Sequence, residues 1–110
     1  MPSELVETAR ASADALLLPA VNRLDTSAHA LPFEVSCILS GLAAVARATE
    51  DRRYADAAAQ ARSWFSGRNS ADTPVYDRRR GLIYDGIDDG RVSRNSGAES
   101  NIEGALAMLC

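Results

Sequence analysis

The chain has 110 residues and a net charge of −3, with 46% hydrophobic and 25% charged positions. That balance is ordinary for one folded domain and excludes a disordered or collagen-like chain. An acidic chain gives no bulk attraction to nucleic acid. All twelve basic residues are Arg, whose planar fork suits carboxylates and phosphates.

The opening ten residues carry Glu4 and Glu7 and no long apolar run, so no secretory leader is expected and a cytoplasmic location follows by default. The longest apolar stretch, Ala15 to Val21, falls far short of the about 20 residues needed to cross a bilayer, and no membrane contact is expected. Cys37 and Cys110 read as free thiols of a cytosolic protein. With His29 they are too few for a structural zinc site, and neither a metal nor another cofactor is expected.

In chain order, residues 3–18 read as a helix. Ser3 is its N-cap, Glu4 and Glu7 lie at the positive end of its dipole, and Leu5, Ala9, Ser12, Ala13 and Leu16 share one face. Pro19 ends or kinks it, and 22–31 form a polar connection. A second helix over 32–48 starts at Pro32 and carries Val35, Ile38, Leu39, Leu42, Val45 and Ala46 at helical spacing. Asp51 caps a third over 52–66, with Tyr54, Ala57, Ala58, Ala61, Trp64 and Phe65 on one face and Gly67 as its stop. These two form an antiparallel αα-hairpin. The fold class is therefore mainly α.

Beyond Arg68 the pattern changes. Val75-Tyr76 and Leu82-Ile83-Tyr84 are β-prone and flank the turn Asp77 to Gly81, which predicts a small β-hairpin over 75–84. Asp85-Gly86 and Asp88-Asp89-Gly90 add turns. A last helix over 97–109 begins after Ser96, which has capping-box spacing to Glu99. It places Ala98, Ile102, Ala105, Leu106 and Leu109 on one face. The expected core includes Leu39, Leu42, Ala58, Ala61, Trp64 and Leu106.

The densest polar run is 84–101, where acids, Arg94, amides and glycines adjoin a helix N-terminus. Backbone N–H groups and the dipole make such an end receptive to a sugar, phosphate or carboxylate. Two readings of these residues stand. Asp85 with Glu99 makes a conceivable carboxylate pair for glycoside chemistry; the same acids also serve as solvated turn and cap residues. The triplet Arg78-Arg79-Arg80 reads as a solvated turn. Trp64 and Phe65 read as core, with sugar stacking as the alternative. His29 reads as an exposed loop residue.

Residues Ile38 to Tyr54 resemble the helix–turn–helix of six-hairpin α/α toroids, in which a small-residue helix ends in a Thr-x-Asp-x-x-Tyr turn. Trp64-Phe65-x-Gly-Arg-Asn, Val75-Tyr76-Asp77, Gly81 to Gly86 and Asn95-Ser96-Gly97-Ala98-Glu99-Ser100 resemble the last hairpin of such domains, found with bacterial glycosyltransferases and related sugar-processing proteins. The resemblance implies a C-terminal piece of a toroid, from about Pro32 onward. It also implies a glycan or sugar-nucleotide site near Asp85, Arg94, Asn95 and Glu99. It places no catalytic acid or base, and the four readable helices compare with about twelve in a full ring. A carbohydrate-binding or carbohydrate-processing fragment is one expectation. The other is a non-catalytic helical module that self-associates, as a homo-oligomer through the first helix with Leu5, Leu16 and Leu17, or that docks on a partner chain.

Overall fold

Pro19 has no N–H to give, and its ring would strike the carbonyl four residues back in an unbroken α-helix. In the computed structural model, which describes residues 3–110, the chain meets this constraint without stopping. Helix α1, Ser3–Ser12, widens into a π turn, Ala13–Leu17, and continues as α2, Leu18–Leu24, with Pro19 in the first turn of α2. The Leu18 N–H donates to the Ala13 carbonyl five residues back.

The polar connection expected from residue 22 therefore starts later, and Val21 and Leu24 are buried as helix residues. The inward face also differs from the expected one. Ala9, Ala13, Leu17, Val21 and Leu24 turn inward, whereas Leu5 and Leu16 are 61% and 66% exposed. Steps of four residues drift about 40° each around an α-helix. The wider π turn absorbs that drift and brings Leu17 rather than Leu16 to the core side.

Helix α3, Pro32–Thr49, buries Pro32, Val35, Leu39, Leu42 and Val45. Glu50 ends it at φ 55°, donating its N–H to the Ala46 carbonyl. Asp51 then caps α4, Arg52–Ser63, by accepting from the Arg53 N–H. A 3₁₀ turn, Trp64–Ser66, carries α4 to Gly67. Tyr54, Ala58, Ala61, Trp64 and Phe65 are buried, and the small alanines let α4 lie close against α3.

The α3–α4 turn also holds α1. Arg10 Nη1 donates to Asp51 Oδ2 at 3.1 Å, and the Tyr54 hydroxyl donates to Asp14 Oδ1 at 2.6 Å. The guanidiniums of Arg10 and Arg53 lie over the Tyr54 ring at 5.8 and 5.3 Å. The side chain and N–H of Arg53, assisted by Arg10, hold the Asp51 carboxyl down to about 2. Burial pushes the Tyr54 phenol up, so the ring stays neutral and donates.

Two hairpins follow. Strands β1, Tyr76–Asp77, and β2, Leu82–Ile83, pair with Tyr76 opposite Ile83. Strands β3, Ile87–Asp88, and β4, Arg91–Val92, pair with Ile87 opposite Val92. The second hairpin went unread in the sequence beyond its turn. Asp89 and Gly90, at φ 53° and 72°, supply the two left-handed residues of a type I′ hairpin turn. Ile87 also exchanges two backbone hydrogen bonds with Ala30, at 2.8 and 3.0 Å.

Helix α5, Ala98–Leu109, packs on α3 and β2. Its inward residues are Gly104 and Ala107, not the large residues of the expected face. Ile102, Leu106 and Leu109 are 58%, 55% and 82% exposed, which removes Leu106 from the expected core. The reason is clearance: a Cβ at Gly104 would stand 2.6 Å from the Ile83 side chain. The helix docks through its smallest residues because only they let its backbone reach Ile83. The fold is thus mainly helical with two small antiparallel hairpins. Among the described residues no helix is long and apolar enough to cross a membrane.

Leu42 is fully enclosed. Leu42→Ala is expected to cost about 2–5 kcal/mol in urea unfolding, whereas Leu106→Ala stays within about 0.5 kcal/mol of the parent. A reversed order would contradict the packing of α3 and α5.

Candidate functional site

The β1–β2 hairpin forms one wall of a cleft of about 490 Å³. Its lining includes Thr73, Tyr76, Asp77, Arg78, Tyr84 and Arg94. Asp77 and Tyr84 meet because Asp77 pairs with Leu82, which makes Tyr84 its diagonal neighbour on the same face. The Tyr84 hydroxyl donates to Asp77 Oδ2 at 2.9 Å. Asp77 Oδ1 accepts the N–H groups of Arg79 and Arg80, each at 3.1 Å. The Arg80 N–H first, then the Tyr84 hydroxyl, hold the Asp77 carboxyl below the usual carboxylate range. Asp77 is therefore ionised at neutral pH, with one oxygen engaged by the turn it closes and the other by Tyr84.

Arg94 approaches from beyond β4, its guanidinium 5.1 Å from the centre of the Tyr84 ring. This stacking orients the fork without neutralising it. The lining holds one carboxylate, whereas glycoside hydrolysis requires two flanking the bond. The cleft offers aromatic walls, guanidinium donors and hydroxyls.

Of the four residues expected to form one site, Arg94 alone lines this cleft. Asp85 lines a second cleft of about 410 Å³ with His29, Glu34, Asp88 and Ser93. Asn95 and Glu99 line neither. Asp85 Oδ1 accepts the Gly97 N–H at 2.7 Å, and the Asp85 N–H donates to the Asn95 carbonyl at 2.8 Å. Asp85 therefore holds the start of α5. Glu99 is exposed, and no hydrogen bond or ion pair engages its side chain among the described residues. The capping box expected of Ser96 and Glu99 does not form. Gly97 is the N-cap in place of Ser96, and its N–H donates to Asp85. Ser96 Oγ instead donates to the Ile83 carbonyl at 2.7 Å.

His29 is an exposed loop residue, as expected. Its Nδ1 lies 2.9 Å from Asp88 Oδ1 and joins the 25–31 segment to the second hairpin. Among the described residues no three His, Cys, Asp or Glu side chains converge as a metal-ligand group.

The sequence reading did not single out Tyr76 and Asp77 of this cleft; Arg78, read there as part of a solvated turn, is an exposed turn residue that also lines the cleft. The available signal was Asp77 followed by Arg-Arg-Arg-Gly between two tyrosine-bearing β-prone runs. Its meaning depended on the hairpin register. Asn101 was also missed. Its Oδ1 accepts the Ile83 N–H at 2.8 Å, and its Nδ2 donates to Ser96 Oγ and the Gly97 carbonyl, each at 3.0 Å.

Asn101→Ala removes the acceptor of the part-buried Ile83 N–H, a loss worth about 1–3 kcal/mol. The Ile83 amide is expected to exchange its hydrogen faster in the variant while amides in the middle of α3 keep their protection. Unchanged exchange at Ile83 would show that Asn101 does not fasten α5 to β2.

No protein-family model, no curated protein and no solved structure matches the chain.

Proposed function

We propose that this chain is a carbohydrate-binding helical domain whose ligand sits in the cleft walled by Tyr76, Arg78 and Arg94. The observation that carries the reading is the lining of that cleft, which sets Tyr76 and Tyr84 beside the guanidiniums of Arg78 and Arg94, the apolar walls and few directed polar groups of small-ligand sites. A sugar ring offers a C–H face for an aromatic wall and a rim of hydroxyls for planar donors. Tyr76 supplies the first, and the guanidinium of Arg94, held over Tyr84, supplies the second. The α3–α4 hairpin and the motif-bearing segment before α5 fit the proposal that the chain is the C-terminal part of an α/α toroid associated with a glycosyltransferase or glycosidase. The site on this reading is the hairpin cleft, with Arg94 retained from the expected set.

The test is calorimetric titration with a panel of neutral and acidic oligosaccharides. Binding is expected in the parent chain. Tyr76→Ala should weaken it about tenfold or more, roughly 1.4 kcal/mol, and Glu99→Gln should leave it unchanged. A second reading, self-association through the first helix, is favoured by the exposure of Leu5 and Leu16. If no oligosaccharide binds, and light scattering shows a two-fold dimer that Leu16→Glu dissociates, the second reading replaces the first.

A further inference from the structure

The basic triplet takes on a different meaning once the hairpin is folded. Arg78, Arg79 and Arg80 stand on the turn between β1 and β2, and Arg94 faces the same cleft from the far side. The single carboxylate among them is Asp77. Its Oδ1 already accepts two backbone N–H groups, its Oδ2 accepts the Tyr84 hydroxyl, and Arg80 Nε lies 3.8 Å away. Asp77 therefore has little capacity left for Arg78 or Arg94.

Among the described residues neither of those two side chains makes an ion pair or a hydrogen bond. Elsewhere Arg10 and Arg53 pair with Asp51 and Arg68 with Asp25, whereas other surface arginines such as Arg23, Arg47 and Arg91 also stand without a partner among the described residues. What distinguishes Arg78 and Arg94 is that both line one cleft. On a chain of net charge −3, a cleft carrying two unmatched guanidiniums and one engaged carboxylate is a local reversal of sign. A concave surface concentrates such a potential at the ligand.

We propose that the ligand of this cleft is an anionic sugar, recognised at its carboxylate or phosphate by the guanidiniums of Arg78 and Arg94. This rests on the carbohydrate reading above and narrows it. Tyr76 packs on the ring of the sugar, and the acidic substituent lies toward Arg78 and Arg94. A guanidinium fork matches the two oxygens of either acid group with two parallel hydrogen bonds. Uronates and sugar phosphates, including sugar nucleotides, share this chemistry. Arg79 and Arg80 at the rim contribute long-range attraction that salt screens.

The experiment titrates the intact chain with three probes of matched ring size: a neutral oligosaccharide, its uronate counterpart and a sugar phosphate. Each is measured at low and at high salt, for the parent chain and for Arg78→Gln/Arg94→Gln. Both arginines are exposed, and circular dichroism verifies that the variant keeps its helices. At least one anionic probe is expected to bind about tenfold or more tighter than the neutral one, a difference of roughly 1.4 kcal/mol. The preference should shrink in high salt and vanish in the double variant, in which affinity for the anionic probe falls further than affinity for the neutral one. The uronate and phosphate arms identify which acid group the forks prefer. Equal affinity for neutral and anionic probes overturns the inference while leaving the carbohydrate reading intact. Failure of all three to bind overturns both. An anionic preference that survives in the double variant also overturns the assignment to Arg78 and Arg94.

Discussion

The short stretch Ile83 to Gly86 fastens the hairpins, α5 and the 25–31 segment to one another. The Ile83 N–H donates to Asn101, its carbonyl accepts from Ser96, and Asp85 accepts the Gly97 N–H. Gly86, at φ 122°, then turns so tightly against Ala30 that a Cβ there would stand 2.3 Å from the Ala30 carbonyl oxygen. A two-stranded hairpin is marginal in water on its own, and so is a helix as short as α5. Each persists here because this knot ties it to the helical core, where Tyr84 also donates its N–H to the Val75 carbonyl and Val75 to Phe65. The walls of the cleft, Tyr76 on one side and Arg94 on the other, inherit their separation from that arrangement.

How much of this was legible in the sequence follows from the range of each interaction. Helices α3 and α4 were readable because Leu39, Leu42, Tyr54 and Ala61 repeat at helical spacing and Asp51 caps its own helix two residues on. The course of α1 into α2 was not, because Pro19 stops most helices and nothing local announces that a π turn will carry the chain past it. The buried face of α5 was misread for a different reason. Hydropathy favours Ile102 and Leu106, whereas the contact with Ile83 is decided by the absence of bulk at Gly104.

The candidate site shows the same division. Asp85, Arg94, Ser96 and Glu99 stand out as a polar cluster, but their partners lie elsewhere in the chain. Asp85 and Ser96 turn out to tie segments together, Glu99 stays in solvent, and Arg94 reaches a cleft whose other wall is the first hairpin. The Asp77–Tyr84 contact required the strand register, which neither residue type nor spacing specifies. The Asp77 carboxylate is thereby engaged by Tyr84 and by the N–H groups of its own turn.

On the proposed reading Asp85, Ser96 and Asn101 hold the structure, and the cleft between Tyr76 and Arg94 binds the sugar. Nuclear magnetic resonance mapping separates the two most directly. Adding a short oligogalacturonate to isotope-labelled protein should shift the amides of Tyr76 to Arg80 and of Arg94 most, and leave those of Glu99 to Glu103 in place. Largest shifts along Glu99 to Glu103, with Tyr76 to Arg80 silent, would contradict the account.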